Sequence, residues 1–100
     1  MMRVLFERTG GFAGIKLSAS FDSESLPPRQ ARRLEKLLED CRFFRLPVRL
    51  EEAAPSPDRF LYKLTVESRN CVHTVHAGEG AVPAEMRPLL EWLTAAARRR

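Results

Sequence analysis

The sequence predicts an α+β domain, a two-layer sandwich of order ββαββα in which a four-stranded antiparallel sheet carries two helices on one face. Four segments alternate apolar and polar residues with period two, which is typical of half-buried strands. Two other segments repeat apolar residues at helical spacing. Strands and helices that each bury one side satisfy one another in two layers. With 100 residues and 44% hydrophobic content, we expect residues 1–100 to form a single domain.

The first two strands are predicted around a glycine-rich segment. Their apolar positions recur every second residue, at Val4, Phe6, Ile15, Leu17, Ala19 and Phe21. Between them, Gly10, Gly11 and Gly14 surround Phe12. Glycine adopts positive φ and lets backbone approach another surface closely. We therefore expect residues 10–14 to form the exposed tip of a hairpin.

The first helix is predicted at residues 28–40, because two prolines precede a run of apolar residues at helical spacing. These residues are Ala31, Leu34, Leu37, Leu38 and Cys41. A polar segment follows at residues 51–58, where Pro55 and Pro57 disfavour both regular elements. This segment is a second candidate contact loop.

The second hairpin is predicted from alternation in residues 60–67, a turn at 68–70 and a partner strand at 71–75. Gly78, Gly80 and Pro83 interrupt the chain before the last helix. The apolar positions of that helix are Met86, Leu89, Leu90, Leu93 and Ala97. We expect Met86 in the core and Trp92 on a partly buried flank.

The net charge of +4 owes three charges to residues 98–100, which leaves 14 cationic residues against 13 acidic ones elsewhere. Residues 98–100 are predicted to form a basic, frayed helix end. Because no signal-peptide or membrane-spanning pattern occurs, we expect a cytoplasmic protein that does not engage a membrane. Cys41 and Cys71 are expected to remain thiols in that reducing compartment.

Motifs for common enzyme chemistry are absent from the sequence. His73 and His76 lie three apart on a predicted strand, where side chains point to opposite faces, so they do not suit one metal ion. No phosphate-binding loop, zinc-protease motif or paired cysteine motif occurs. We therefore expect no enzymatic activity, no metal, no cofactor and no small-molecule substrate.

Several segments carry a family resemblance over nearly the whole chain. In order they are Phe6-Glu7-Arg8-Thr9-Gly10-Gly11-Phe12-Ala13-Gly14-Ile15, Ser25-Leu26-Pro27-Pro28, Phe43-Phe44, Leu46-Pro47, Asp58-Arg59-Phe60, Tyr62-Lys63-Leu64-Thr65-Val66-Glu67, His73-Thr74-Val75 and Leu89-Leu90-Glu91-Trp92-Leu93. With this order and spacing the chain resembles the emfourin family, small bacterial proteins that inhibit protealysin-like proteases of the thermolysin family. The resemblance implies a cytoplasmic inhibitor of such a metalloprotease and a helix-and-sheet fold.

The resemblance does not itself locate the inhibitory surface, which we place from residue chemistry. The candidate protease-binding residues are Thr9, Gly10, Gly11, Phe12, Ala13 and Gly14. Gly11-Phe12-Ala13 sets a bulky apolar side chain between two small residues, the pattern that thermolysin-type zinc proteases accept around a cleaved bond. Phe12 is then expected in the pocket for the residue after that bond. In the alternative interpretation Phe12 folds back over the end of the helix layer.

Two other functions fit the same pattern. A small nucleic-acid-binding domain would use the open sheet face, with Lys16, Lys63 and the basic tail, although the near-neutral body disfavours it. A structural or regulatory subunit would pair through its sheet edge. Steep salt dependence would indicate the first function, and a concentration-dependent size would indicate the second.

Overall fold

In a computed structural model, residues 2–11, 14–54 and 58–99 are described. The regular elements are β1 (Met2–Gly10), β2 (Leu17–Asp22), α1 (Pro28–Asp40), β3 (Arg49–Leu50), β4 (Phe60–Ser68), β5 (Val72–Gly78) and α2 (Arg87–Arg98). Short 3-10 turns occupy Phe43–Arg45, Glu79–Ala81 and Ala84–Met86. The helix predicted at residues 28–40 has the bounds of α1, and both predicted hairpins form.

The sheet has five strands in the order β2-β1-β4-β5-β3. The two hairpins join where β1 pairs antiparallel with β4. The predicted four-stranded antiparallel sheet and the order ββαββα are wrong in one element, because β3 follows α1 and pairs parallel with β5. Arg49 lies opposite His76 and Leu50 opposite Ala77. A two-residue strand is too short to show a period-two pattern.

One face of the sheet carries the core. Its buried side chains are Val4, Phe6, Phe21, Leu64, Val66, Val75 and Ala77, and they cluster with Leu34, Leu37 and Leu38 of α1 and Leu89, Leu90 and Leu93 of α2. Directly paired residues share a face of a sheet, as Phe6 does with Leu64. Met86 is fully buried and Trp92 is partly buried, as predicted. The opposite face, here called the outer face, carries exposed Leu5 and Leu61.

The two cysteines differ in accessibility. Cys41 is buried and Cys71 is exposed, and both are free thiols. Burial raises the pKa of the Cys41 thiol, and the nearby carboxylates of Asp40 and Glu85 raise it further against an opposing backbone hydrogen bond. A thiol alkylates as its thiolate. Cys41 is therefore protected twice, by low access and by a raised pKa.

We expect iodoacetamide at about pH 8 to modify Cys71 in the native protein and Cys41 only after unfolding. Mass spectrometry of intact protein and of its peptides, with and without denaturant, measures both rates. A Cys71→Ser variant is the matched control and should stay unmodified while native. Equal alkylation of both thiols in the native protein would contradict the packing of Cys41.

Candidate functional site

The predicted binding residues begin at the end of β1. Thr9 and Gly10 lie within the strand, opposite Leu61 and Phe60 of β4, although Gly10 was expected in the exposed tip. Pairing of β1 with β2 ends at Arg8, so β4 alone holds this last part of the strand. The loop begins at Gly11, and Gly14 on its far side is exposed. Phe12 and Ala13 lie outside the described residues.

Glycine is required at positions 10 and 11 by backbone conformation and by space. Gly10 has φ 91° and Gly11 has φ 79°, a region that side-chain-bearing residues rarely adopt. A Cβ on Gly10 would lie 2.6 Å from the Arg59 carbonyl oxygen, and one on Gly11 would lie 2.6 Å from Cε1 of Phe60. The Gly11 N–H donates to that same Arg59 carbonyl at 3.3 Å. The loop therefore starts from backbone packed directly on β4.

The Phe60 ring packs against Gly11 at the start of the loop. The guanidinium carbon of Arg8 lies 4.1 Å from the centre of the Phe60 ring, within the range of a cation–π interaction. Tyr62 lies opposite Arg8 and 6.3 Å from Phe60 between ring centres. Burial raises the pKa of Tyr62, an effect that the nearby charge of Arg8 opposes. Arg8 thus packs on the ring that contacts Gly11, and the Tyr62 ring lies beside it, tilted by 57° to that of Phe60.

Three connections lie at one end of the sheet. They are the loop that begins at Gly11, here called the glycine loop, the segment between β3 and β4, and the turn after β5. Arg59 Nη1 donates to Glu52 Oε1 at 2.8 Å, and the Phe60 N–H donates to Glu79 Oε1 at 2.9 Å. These contacts tie the segment after β3 and the turn after β5 to the start of β4, beside Gly11. We call these three connections together the loop end. Their described residues are 11, 14, 51–54, 58–59 and 78–81. The sequence alone left open whether these segments shared one end.

The sequence patterns missed the residues that support the loop. No local pattern relates Arg8 to Phe60, and Glu52 falls in the segment predicted as a polar loop, although only 8% of its side chain is exposed. The contact of Arg8 with Phe60 and that of Glu52 with Arg59 depend on how distant segments come together in the fold, and no local sequence pattern indicates them. The sequence predicts that Gly78 and Gly80 interrupt the chain. In the structure, both glycines also leave the space that the Glu52 side chain occupies.

The two histidines point to opposite faces, as predicted. His73 Nε2 donates to the Leu46 carbonyl at 2.8 Å, and its ring packs edge-on against Phe43 on the core side. His76 pairs with Lys63 on the outer face. Across residues 2–11, 14–54 and 58–99, no three His, Cys, Asp or Glu side chains converge as a metal site. None of the described helices is long and apolar enough to span a membrane.

Two cations on the described outer face and beside it lie next to acids. Lys16 Nζ lies 3.1 Å from Glu7 Oε2, and Arg3 Nη1 lies 3.8 Å from Glu67 Oε1. Both pairs are solvent-exposed, so each contributes little to stability. Nucleic-acid binding relies on clustered cations that face the phosphates. In these two pairs the cation faces an acid of this chain instead of standing in a cluster of one sign.

The loop backbone provides a stability prediction with a built-in control. Gly14 also has positive φ, 62°, yet a Cβ there would meet nothing within 4 Å. Gly14→Ala is expected to lower the free energy of unfolding by about 1–2 kcal/mol, the backbone cost alone. Gly11→Ala should cost at least roughly 1 kcal/mol more because the Phe60 ring must move. Urea unfolding of both variants measures the difference, and equal losses would contradict the contact between Gly11 and Phe60.

The chain is similar to known proteins over most of its length. A family model described as Emfourin matches residues 6–94, from β1 into α2. Among solved structures, the chain is similar to emfourin from Serratia proteamaculans, which is described as an M4 family peptidase inhibitor. The two share 20% sequence identity with a TM-score of 0.49, over 94% of this chain and 88% of that one. No curated protein matches the chain.

Proposed function

Since the chain belongs to the Emfourin family, we propose that it is a stoichiometric protein inhibitor of thermolysin-like, protealysin-type zinc metalloproteases. The observation that carries the proposal is the family match from β1 into α2. The chain acts as a binding module in the cytoplasm. It needs no cofactor of its own, because the zinc belongs to the protease.

Residues 9–14 form the centre of the proposed contact. Gly11 is fixed by its hydrogen bond to Arg59 and by its packing on Phe60, and the Gly14 N–H donates back to the Gly11 carbonyl at 3.3 Å. A loop anchored at its base loses less conformational entropy on binding than a free peptide does. In the proposal, Phe12 enters the protease pocket for the residue after the scissile bond.

A second contact region is needed on grounds of area. Stable protein complexes bury about 800 Å² on each partner, more than six residues supply. Residues 51–54, 58 and 78–81 of the loop end are held beside Gly11 by the contacts of Arg59 and Phe60. We propose that these segments, together with residues 55–57, supply the remaining contact.

The test is titration of the purified protein into a thermolysin-type or protealysin-like protease while cleavage of a short peptide substrate is followed. We expect activity to fall linearly and to reach its minimum near one inhibitor per enzyme. Undiminished activity across several such proteases would overturn the proposal.

Salt dependence separates this function from the nucleic-acid alternative. Inhibition through an apolar side chain should change little between about 50 and about 200 mM salt, whereas phosphate binding should weaken steeply. The control is binding to a single-stranded oligonucleotide under the same two conditions. Tight, steeply salt-dependent oligonucleotide binding without inhibition would favour the alternative.

A further inference from the structure

We infer that the ion pair between Glu52 and Arg59 is a positioning element, which holds the base of the glycine loop in its binding conformation. One consequence of the inference, weaker inhibition when the ion pair is lost, rests on the proposed function. The effect on the loop itself is a property of the free protein. Neither residue needs to touch the protease for this role.

Glu52 is an unusually buried carboxylate for a loop residue. Its side chain is 8% exposed, whereas that of Arg59 is 48% exposed. A buried charge is costly unless a partner of opposite charge compensates for it. Arg59 Nη1 supplies that partner at 2.8 Å from Glu52 Oε1, a short, charge-assisted hydrogen bond. Removing either charge therefore disturbs more than a surface ion pair would.

Two glycines shape the place in which Glu52 sits. A Cβ on Gly78 would lie 3.0 Å from Glu52 Oε2, and a Cβ on Gly80 would collide with both Glu52 Oε1 and Arg59 Nη1. The end of β5 and the following turn thus form a notch that fits the carboxylate and its partner. The ion pair therefore packs between three segments: the one that carries Glu52, the one that carries Arg59, and the turn at residues 78–80.

Arg59 transmits this constraint to the loop through its own backbone. Its carbonyl accepts the Gly11 N–H, and the next residue, Phe60, packs its ring against Gly11. The Phe60 N–H is held in turn by Glu79. Loss of the ion pair should loosen Arg59, and Gly11 with it. A binding conformation that is populated for less of the time lowers the apparent affinity in proportion.

The experiment compares Glu52→Gln with Glu67→Gln, a matched change in the exposed pair with Arg3 near the far end of β4. Amide hydrogen exchange of Gly11 is measured by NMR in the free protein. We expect Glu52→Gln to raise that rate at least about tenfold, which is the low end of the effect of a charge-assisted hydrogen bond, while the exchange of Leu64 in the core stays unchanged. Glu67→Gln should change neither rate.

Arg59 gives a second pair of variants, because Lys keeps the charge and Met removes it. In Arg59→Lys we expect the amide exchange rate of Gly11 to stay close to that of the wild type. In Arg59→Met it should rise as much as in Glu52→Gln. The inhibition constant should rise in the two uncharged variants only, by the factor by which the closed fraction of the loop falls and by at most about tenfold. Unchanged Gly11 exchange, or complete loss of Gly11 protection with unchanged inhibition, would overturn the inference. Absence of inhibition by the wild-type chain would instead overturn the proposed function, and the exchange rates would still decide whether the pair holds the loop.

Discussion

Phe6→Ala is expected to lower the free energy of unfolding by about 3–5 kcal/mol. Phe6 is 2% exposed in the central part of the sheet, opposite Ala19 on β2 and Leu64 on β4. Removing its ring loses the transfer free energy and leaves a cavity that the paired strands fill poorly. Domains of this size are stable by only about 5–15 kcal/mol. The variant should therefore unfold at a much lower urea concentration, measured by circular dichroism.

Leu5→Ala is the matched control, one residue away in the same strand. Leu5 lies on the outer face and is 37% exposed, so its loss should cost about 1 kcal/mol or less. The comparison holds the strand and its backbone pairing constant while the face changes. Equal destabilisation by the two variants would contradict the assignment of the core to one face.

Phe12→Ala is expected to raise the inhibition constant for a sensitive thermolysin-type protease by at least about 30-fold, which corresponds to about 2 kcal/mol of binding free energy. Under the proposed function Phe12 is the apolar anchor of the complex, and such anchors dominate binding. The loop base should remain intact, since Gly11 is held by Arg59 and Phe60. Inhibition assays over a range of inhibitor concentration measure the constant.

Val72→Ala controls for a general effect of removing an exposed apolar side chain. Val72 is 66% exposed at the start of β5, at the opposite end of the sheet from Gly11. Its inhibition constant should match that of the wild type, and thermal unfolding should show both variants folded. Undiminished inhibition by Phe12→Ala would show that the glycine loop is not the contact, while the family membership would remain.

Most of the fold was predictable because its long strands and helices each keep one constant face. Val4 and Phe6 alternate with outer-face residues, and α1 repeats Leu34, Leu37 and Leu38 at helical spacing, so local pattern and burial agree. The fifth strand was missed because Arg49 and Leu50 carry no period. Its place beside β5 depends on where the chain returns after α1, which is tertiary information.

The candidate site was predictable only in part, for a similar reason. Gly10 and Gly11 leave a signal in the sequence because close backbone approach excludes side chains there. The stack of Arg8 on Phe60 joins residues that are adjacent only after β1 pairs with β4. In the sequence Glu52 is one more charge in a polar segment, and the glycines that accommodate it lie on a different strand and turn.

The exposed thiol of Cys71 also makes the molecule easy to orient. Cys71 lies in the turn between β4 and β5, and the nine residues of β4 extend over about 30 Å before the loop end is reached. The other cysteine, Cys41, is buried. A maleimide-linked surface or fluorophore attached at position 71 would thus present every chain with its glycine loop facing outward. The native protein can be immobilised in one orientation without engineering a new attachment site.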